Sequence, residues 1–273
     1  MSAQTVAPQP VVEHRAQSGN LVLEARRIHK VFGGLVAVNN LSFSVFEGEI
    51  LSIIGPNGAG KTTVFNLLTG VLPLDGGEIW FRGRKLNGLP PHAIARLGMA
   101  RTFQTVHIFE NMTVLENVMI GRHPRSRYGF VEAAFQLPWA RKEEQAIRQH
   151  AMACLELVGI ADLAGELAGN LPFGQQRLVE LARALATEPT CLLLDEPASG
   201  LSHQEVVELD ALIRRLRDEQ GITVLLIEHD MNLVMGIADR IVVINYGEKI
   251  AEGAPEEIQQ NERVIAAYLG EDV

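Results

Sequence analysis

Residues 55–62, GPNGAGKT, carry a glycine, four intervening residues, and then Gly60, Lys61 and Thr62. That spacing suits a loop that wraps a polyphosphate, because glycines let successive backbone N–H groups turn inward. A helix beginning at the end of such a loop adds a favourable partial charge for an anion. The expected phosphate contacts run from Gly55 through Pro56, Asn57, Gly58, Ala59, Gly60, Lys61 and Thr62 to Thr63. Lys61 is expected to reach the β- and γ-phosphates, and the Thr62 hydroxyl to serve a Mg²⁺ ion.

A second chemical element lies at CLLLDEP, residues 191–197. Asp195 closes an apolar run, where a carboxylate can hold Mg²⁺ directly or through water. Glu196 points differently from its neighbour and is the candidate for polarising an attacking water. Pro197 stops the strand. His229, in LLIEHD, follows another apolar run, at the strand end where ligands of parallel α/β sheets collect. Gln104, in RTFQ, carries an amide suited either to ligating Mg²⁺ or to positioning water.

These groups need a scaffold, and the hydrophobic pattern supplies one. Leu41, Phe43 and Val45 alternate as in a half-buried strand, and EGE at 47–49 is a turn. ILSII (50–54) is a short apolar run of the kind buried on both faces, and the segment from Thr62 to Gly70 reads as a helix. GGEIWF (76–81) suggests a hairpin strand. Thr113–Ile120 and Arg141–Val158 read as helices, the second with Ile147, Ala151, Cys154, Leu155 and Val158 on one face. GRHPRSRYG, between them, is irregular, and 105–169 shows no strong strand. Beyond 190, apolar runs at 191–194, 222–227 and 240–244 alternate with a helix marked by Val206, Leu209, Ile213 and Leu216, and NYG with EKIAEG closes a final hairpin. Buried strands alternating with helices imply a mainly parallel α/β core.

Of the 273 residues, 47% are apolar, enough for a packed core, and the net charge of −9 gives no reason to expect nucleic-acid binding. The basic run Arg122 to Arg127 reads as a solvated loop. No run reaches the roughly 18 apolar residues of a membrane span. The first 20 residues lack an apolar signal-peptide core, and their Pro, Gln and Ser content reads as a disordered lead-in. A cytoplasmic location follows as the expectation. Cys154 and Cys191 sit on apolar faces as buried, reduced thiols without metal-ligand spacing.

The ordered set GPNGAGKTT, RTFQ, LPFGQQR, LLLDEP, SGLS and IEHD resembles the ATP-binding subunit of ATP-binding cassette (ABC) transporters, from about Leu21 onward. FGGLVAVNN, ARTFQ, IEHDMNLVMGIADRI and the ending AAYLGE resemble the high-affinity branched-chain amino acid importer type. The resemblance implies a P-loop NTPase cassette. It has a mainly parallel core sheet, an antiparallel β subdomain and a helical subdomain, with 21–104 and 170–273 as the ATPase core and 105–169 as the helical insertion. It implies ATP and Mg²⁺ as cofactors, with Thr62, Gln104 and Asp195 around the metal. Glu196, His229, Gln104 and Lys61 carry hydrolysis, and Phe32 stacks on adenine. Partners implied are a second ATPase subunit, a paralogue or another copy, together with integral membrane permease subunits and an external solute-binding protein. The chain would sit peripherally on the inner face of the cell membrane. The stretch from about Val106 to Arg127 is either a permease contact or simply helical-subdomain surface. The ATPase of a urea importer or a lipid exporter would share every motif. A soluble ABC ATPase acting on DNA or ribosomes is disfavoured by the acidic charge and by the lack of long coiled-coil insertions or a second cassette.

The signature that the family writes Leu-Ser-Gly-Gly-Gln is here Leu171, Pro172, Phe173, Gly174 and Gln175. Pro172 removes a hydroxyl and a backbone N–H donor. The loop Ser199 to Ser202 matches the segment that crosses to the opposite subunit, with Ser202 where the family has Asp. Closure on ATP is expected to be weaker than usual, sustained by the N–H groups from Gly174 onward.

Overall fold

The computed structural model describes residues 19–122 and 138–269. The lead-in before Gly19, most of the basic run after Arg122, most of GRHPRSRYG and the last four residues lie outside the described residues.

Two sheets form the frame. The strands β1 (Leu21–Phe32), β2 (Leu35–Phe46), β4 (Gly76–Phe81) and β5 (Arg84–Lys85) make an antiparallel sheet in the order β2-β1-β4-β5. The alternation in β2 is as expected from Leu41, Phe43 and Val45, all buried. The β1 strand is not legible as an alternating run because it breaks at Arg27, whose φ is 47°, and its pairing with β2 shifts register there.

The second sheet has the order β10-β9-β3-β8-β7-β6. Its members are β3 (Ile50–Ile54), β6 (Met99–Arg101), β7 (Cys191–Asp195), β8 (Thr223–Ile227), β9 (Arg240–Asn245) and β10 (Glu248–Gly253). All pairings are parallel except β10 with β9. Every residue of β3, β7 and β8 is buried, which explains their unbroken apolar runs. The helices are α1 (Lys61–Leu68), α2 (Pro91–Arg96), α3 (Val114–Gly121), α4 (Pro138–Val158), α5 (Phe173–Leu185), α6 (His203–Asp218), α7 (Met231–Ile237), α8 (Pro255–Gln259) and α9 (Glu262–Leu269).

The two faces of the parallel sheet serve different layers. Leu192, Leu194, Val224 and Leu226 join one apolar cluster with α6 and with the group α3, α4 and α5. Leu51, Ile53, Leu193, Leu225 and Ile227 join a second cluster with α1 and the antiparallel sheet. A third lies under α7, α8 and α9. Each fully buried Leu or Ile contributes roughly 1.5–3 kcal/mol, so these clusters hold the strand ends in fixed relation. Gly121 lies against the Arg183 carbonyl with no room for a Cβ, seating α3 tightly on α5. Both cysteines are buried and free; burial pushes the Cys154 thiol up to about 11 and Cys191 up to about 12, so neither is a ready nucleophile. Among the described residues no helix is long and apolar enough to cross a membrane.

Candidate active site

Four neighbouring strands, β3, β8, β7 and β6, end on the same edge of the sheet. The loop after β3 leads into α1 through Gly60, whose φ is 102° and whose missing Cβ would overlap the Ala37 carbonyl. Only glycine fits there. Lys61 folds back over the loop, its Nζ donating to the carbonyls of Gly55 (2.6 Å) and Pro56 (2.9 Å). Thr62 is exposed and Thr63 half-buried at the helix start. Asn57 and Gly58 are exposed at the loop crest, while Pro56 and Ala59 are buried beneath it.

Phe32 ends β1 on the turn Gly33–Gly34 and is 43% exposed. Its ring is therefore an open apolar face, not a core residue. The buried Lys30 lies 5.5 Å from the ring centroid and is tied to Asp75 at 2.9 Å.

Asp195 ends β7, opposite Ile227 at the end of β8. Its carboxylate is buried, and Oδ2 accepts from Arg101 Nη2 at 2.7 Å. The other oxygen, Oδ1, is buried with no protein partner. Arg101 ends β6 and also donates to Asn66 Oδ1 (2.7 Å) and Thr69 Oγ1 (3.3 Å) on and just beyond α1. Its guanidinium lies 4.8 Å from the centroid of the Phe103 ring.

Glu196 has φ 48°, a conformation that costs a non-glycine residue roughly 1–3 kcal/mol. Its N–H donates to the Ile227 carbonyl at 2.8 Å, which pins the reversal. This turn directs Glu196 away from Asp195 and toward Gln104 and His229. Gln104 Nε2 donates to Glu196 Oε2 at 2.7 Å, and His229 Nδ1 lies 3.6 Å from the same oxygen. The His229 side chain is 60% exposed, free to face a ligand.

The signature helix α5 begins at Phe173, with Pro172 as an extended N-cap that provides no side-chain bond. Leu171 is buried, and its carbonyl accepts from Gln176 Nε2 at 2.9 Å. Phe173, 44% exposed, packs against the backbone of Gly200, which has no space for a side chain beside the ring. The aromatic in place of glycine thus braces the signature on the 198–202 loop. The Glu205 carboxylate of α6 covers Gly174 and would have to move for a Cβ to enter. Gln175 is half-buried behind it. Ser202 caps α6, with Glu205 reaching back to its N–H at 2.7 Å. A hydroxyl therefore does the capping an Asp would do at this position.

Four buried groups at the centre were not singled out from sequence: Arg101, Arg177, Glu180 and Glu228. Arg177 donates to the carbonyls of Phe103 (3.0 Å), Gln104 (2.7 Å) and Ser199 (3.3 Å). Burial pulls its pKa down, while the charges of Glu180, Glu228, Glu196 and Asp195 oppose that pull. Glu180 accepts from the Phe103 N–H at 3.4 Å, and burial pushes its carboxyl above the usual carboxylate range. Glu228, directly after β8, is fully buried and accepts three backbone N–H groups. For Arg177 and Glu180 the available signal was a charge on an inward position of a helix, and for Glu228 a carboxylate straight after an apolar strand.

A family model described as ABC transporter matches residues 38–199, and one described as branched-chain amino acid ATP-binding cassette transporter matches 248–273. The chain is 51% identical over 240 residues to the high-affinity branched-chain amino acid transport ATP-binding protein LivG of Salmonella typhimurium, covering 88% of this chain and 94% of that one. It is 49% identical over 250 residues to BraF of Pseudomonas aeruginosa, which carries the same description, covering 92% and 98%. Among solved structures, the ADP conformation of MJ1267, an ATP-binding cassette of an ABC transporter, superposes with a TM-score of 0.80 at 34% identity, covering 92% of this chain and 99% of that one. A dimeric post-hydrolysis cassette, MJ0796 bound to ADP and Pi, gives 0.73 at 26% identity, covering 85% and 98%.

Proposed function

Because the chain belongs to the ABC transporter ATP-binding family, we propose that it is the ATP-hydrolysing motor of a branched-chain amino acid importer. The observation that carries the chemistry is the meeting of Gln104, Glu196 and His229 on the sheet edge that also holds the phosphate loop. The identity to LivG and BraF supports the solute class.

In this reading Phe32 stacks on adenine and residues 55–63 cradle the phosphates. Lys61 exchanges its loop carbonyls for phosphate oxygens. Mg²⁺ fits the residues present: Asp195 Oδ1 is a buried oxygen without a protein partner, and Thr62 offers an exposed hydroxyl. Among the described residues no cluster of three His, Cys, Asp or Glu side chains forms a protein-only metal cage, which suits an ion shared with phosphate oxygens. When bound, the ion supplies positive charge beside the β- and γ-phosphates.

Glu196 takes a proton from the water whose oxygen bonds to the γ-phosphorus, while the bond to the bridging oxygen breaks and ADP leaves. Gln104 holds Glu196 Oε2 at 2.7 Å, which orients the carboxylate and leaves lone pairs for the water. His229 donates toward the γ-phosphate. Residues 171–175 serve the ATP of a second cassette, a paralogue or another copy. The exposed Phe103 and Phe109 support a permease contact beside Gln104. That contact holds the chain on the inner face of the membrane, with an external binding protein delivering the solute.

Glu196→Gln is expected to lower ATP turnover by about a hundredfold or more while ATP-dependent dimers persist. The wild-type chain should co-purify with integral membrane proteins in mild detergent and drive ATP-dependent leucine uptake into vesicles. Unchanged turnover in Glu196→Gln would remove the general-base role. Association with ribosomes or DNA in place of membrane proteins would overturn the transport reading.

A further inference from the structure

We propose that Glu228 is a positioning residue that makes the 198–202 loop and His229 move as one body. Its carboxylate is completely buried, in a position where a polar group without partners carries a large desolvation cost. Both oxygens are used, and they reach two different segments. Oε1 accepts from the Ala198 N–H at 2.8 Å, thirty residues away in the chain. Oε2 accepts from the N–H groups of His229 (2.9 Å) and Asp230 (3.1 Å). Asp230 in turn caps α7 through Asn232 and Leu233, so the turn beyond His229 is already fixed to a helix. Glu228 fixes it to Ala198 and is the side-chain link beside the main-chain bond from Glu196 N–H to the Ile227 carbonyl.

The link completes a circuit. Arg177 of α5 grips the Ser199 carbonyl on one side and the Gln104 carbonyl on the other. The Gln104 amide holds Glu196, and His229 lies 3.6 Å from the same Glu196 oxygen. Glu228 closes the ring between His229 and Ala198. A displacement of the 198–202 loop, which lies against the signature through Phe173 and Gly200, therefore turns the backbone that carries His229. An apolar side chain would fill the same volume but leave the three N–H groups without this acceptor. This inference rests on the assignment of His229 to the γ-phosphate made above.

Two variants separate the link from its charge. In Glu228→Gln one of the two oxygens becomes an NH₂ group, which cannot accept. In Glu228→Asp the charge stays, but the side chain is one methylene too short to serve both segments. Both should lower kcat about tenfold and leave KM for ATP within twofold, because Phe32 and the phosphate loop are untouched. In a His229→Ala background, Glu228→Gln should cost less than a further twofold, since its effect passes through that histidine. In the nucleotide-free protein, amide exchange should quicken in both variants either at Ala198 or at His229 and Asp230. Should Glu228→Gln unfold, Glu228→Asp carries the same comparison.

Multiplicative losses in the His229→Ala background would overturn the proposal, as would full kcat in Glu228→Asp. Slow exchange at Ala198, His229 and Asp230 alike in both variants would do the same. A wild-type chain without ATP turnover would instead sink the functional reading, and the exchange result would still decide this one.

Discussion

Removing Arg101 should destabilise the chain by leaving the buried Asp195 carboxylate without its cation. The two side chains are 6% and 2% exposed and meet at 2.7 Å, so neither charge is relieved by water. Arg101 also ties Asn66 and Thr69 to the end of β6. Breaking a buried pair by deleting one partner costs about 3–5 kcal/mol. For a chain of this length each kcal/mol lowers Tm by about 2 °C, so Arg101→Met should melt about 6–10 °C below wild type. Asp195→Asn should fall less, because Asn66 and Thr69 still accept from the guanidinium. The double variant removes both charges and should recover to within about 1–2 kcal/mol of wild type, since replacing both partners of a buried pair is often close to neutral. Thermal melts of the four proteins in one buffer, without nucleotide, form a double-mutant cycle. The reasoning fails if Arg101→Met loses less than about 1 kcal/mol or if the double variant loses the sum of the singles.

Pro172→Ser should return a hydroxyl and an N–H to the signature and tighten the ATP-bound dimer of a Glu196→Gln background. A hydrogen bond to a charged group is worth about 1.5–3 kcal/mol, or at least tenfold in dimer affinity by sedimentation; unchanged affinity would dismiss the idea. Glu180→Gln should change the pH dependence of stability. Burial raises the folded-state pKa of Glu180, so its ionised form is worse in the native state than in the unfolded chain. Stability is therefore lost as pH rises from the ordinary carboxylate range through that raised value. Glu180→Gln should flatten this part of a Tm-against-pH profile and melt higher than wild type at neutral pH. A parallel profile would show that the carboxyl is not strained by burial.

Much of this machine is legible along the chain because its parts are local. The phosphate loop needs its glycines within eight residues, since backbone torsion alone decides whether the loop can turn. The runs ending at Asp195 and Ile227 announce buried strands, because a strand covered on both faces has no room for alternation. Where the chain departs from regular pattern, the reading stops. The β1 strand is hidden by the bulge at Arg27. That the Ser202 hydroxyl caps α6 and that the Phe173 ring lies against Gly200 are visible only in the folded chain.

What the sequence determined by itself is the kind of chemistry and the strands that end in it, because those depend on spacings of a few residues. Tertiary structure alone decided which groups meet. Arg101 lies 94 residues from Asp195, Gln104 lies 92 from Glu196, and Glu228 lies 30 from Ala198. These pairs exist because the sheet orders its strands β3-β8-β7-β6, bringing the ends of four distant segments onto one edge. Strand order is a matter of which strands pair, and no spacing along the chain encodes it. The buried charges then follow from that edge: Asp195 finds its cation on β6, and Glu228 is satisfied by the next two backbone N–H groups together with that of Ala198.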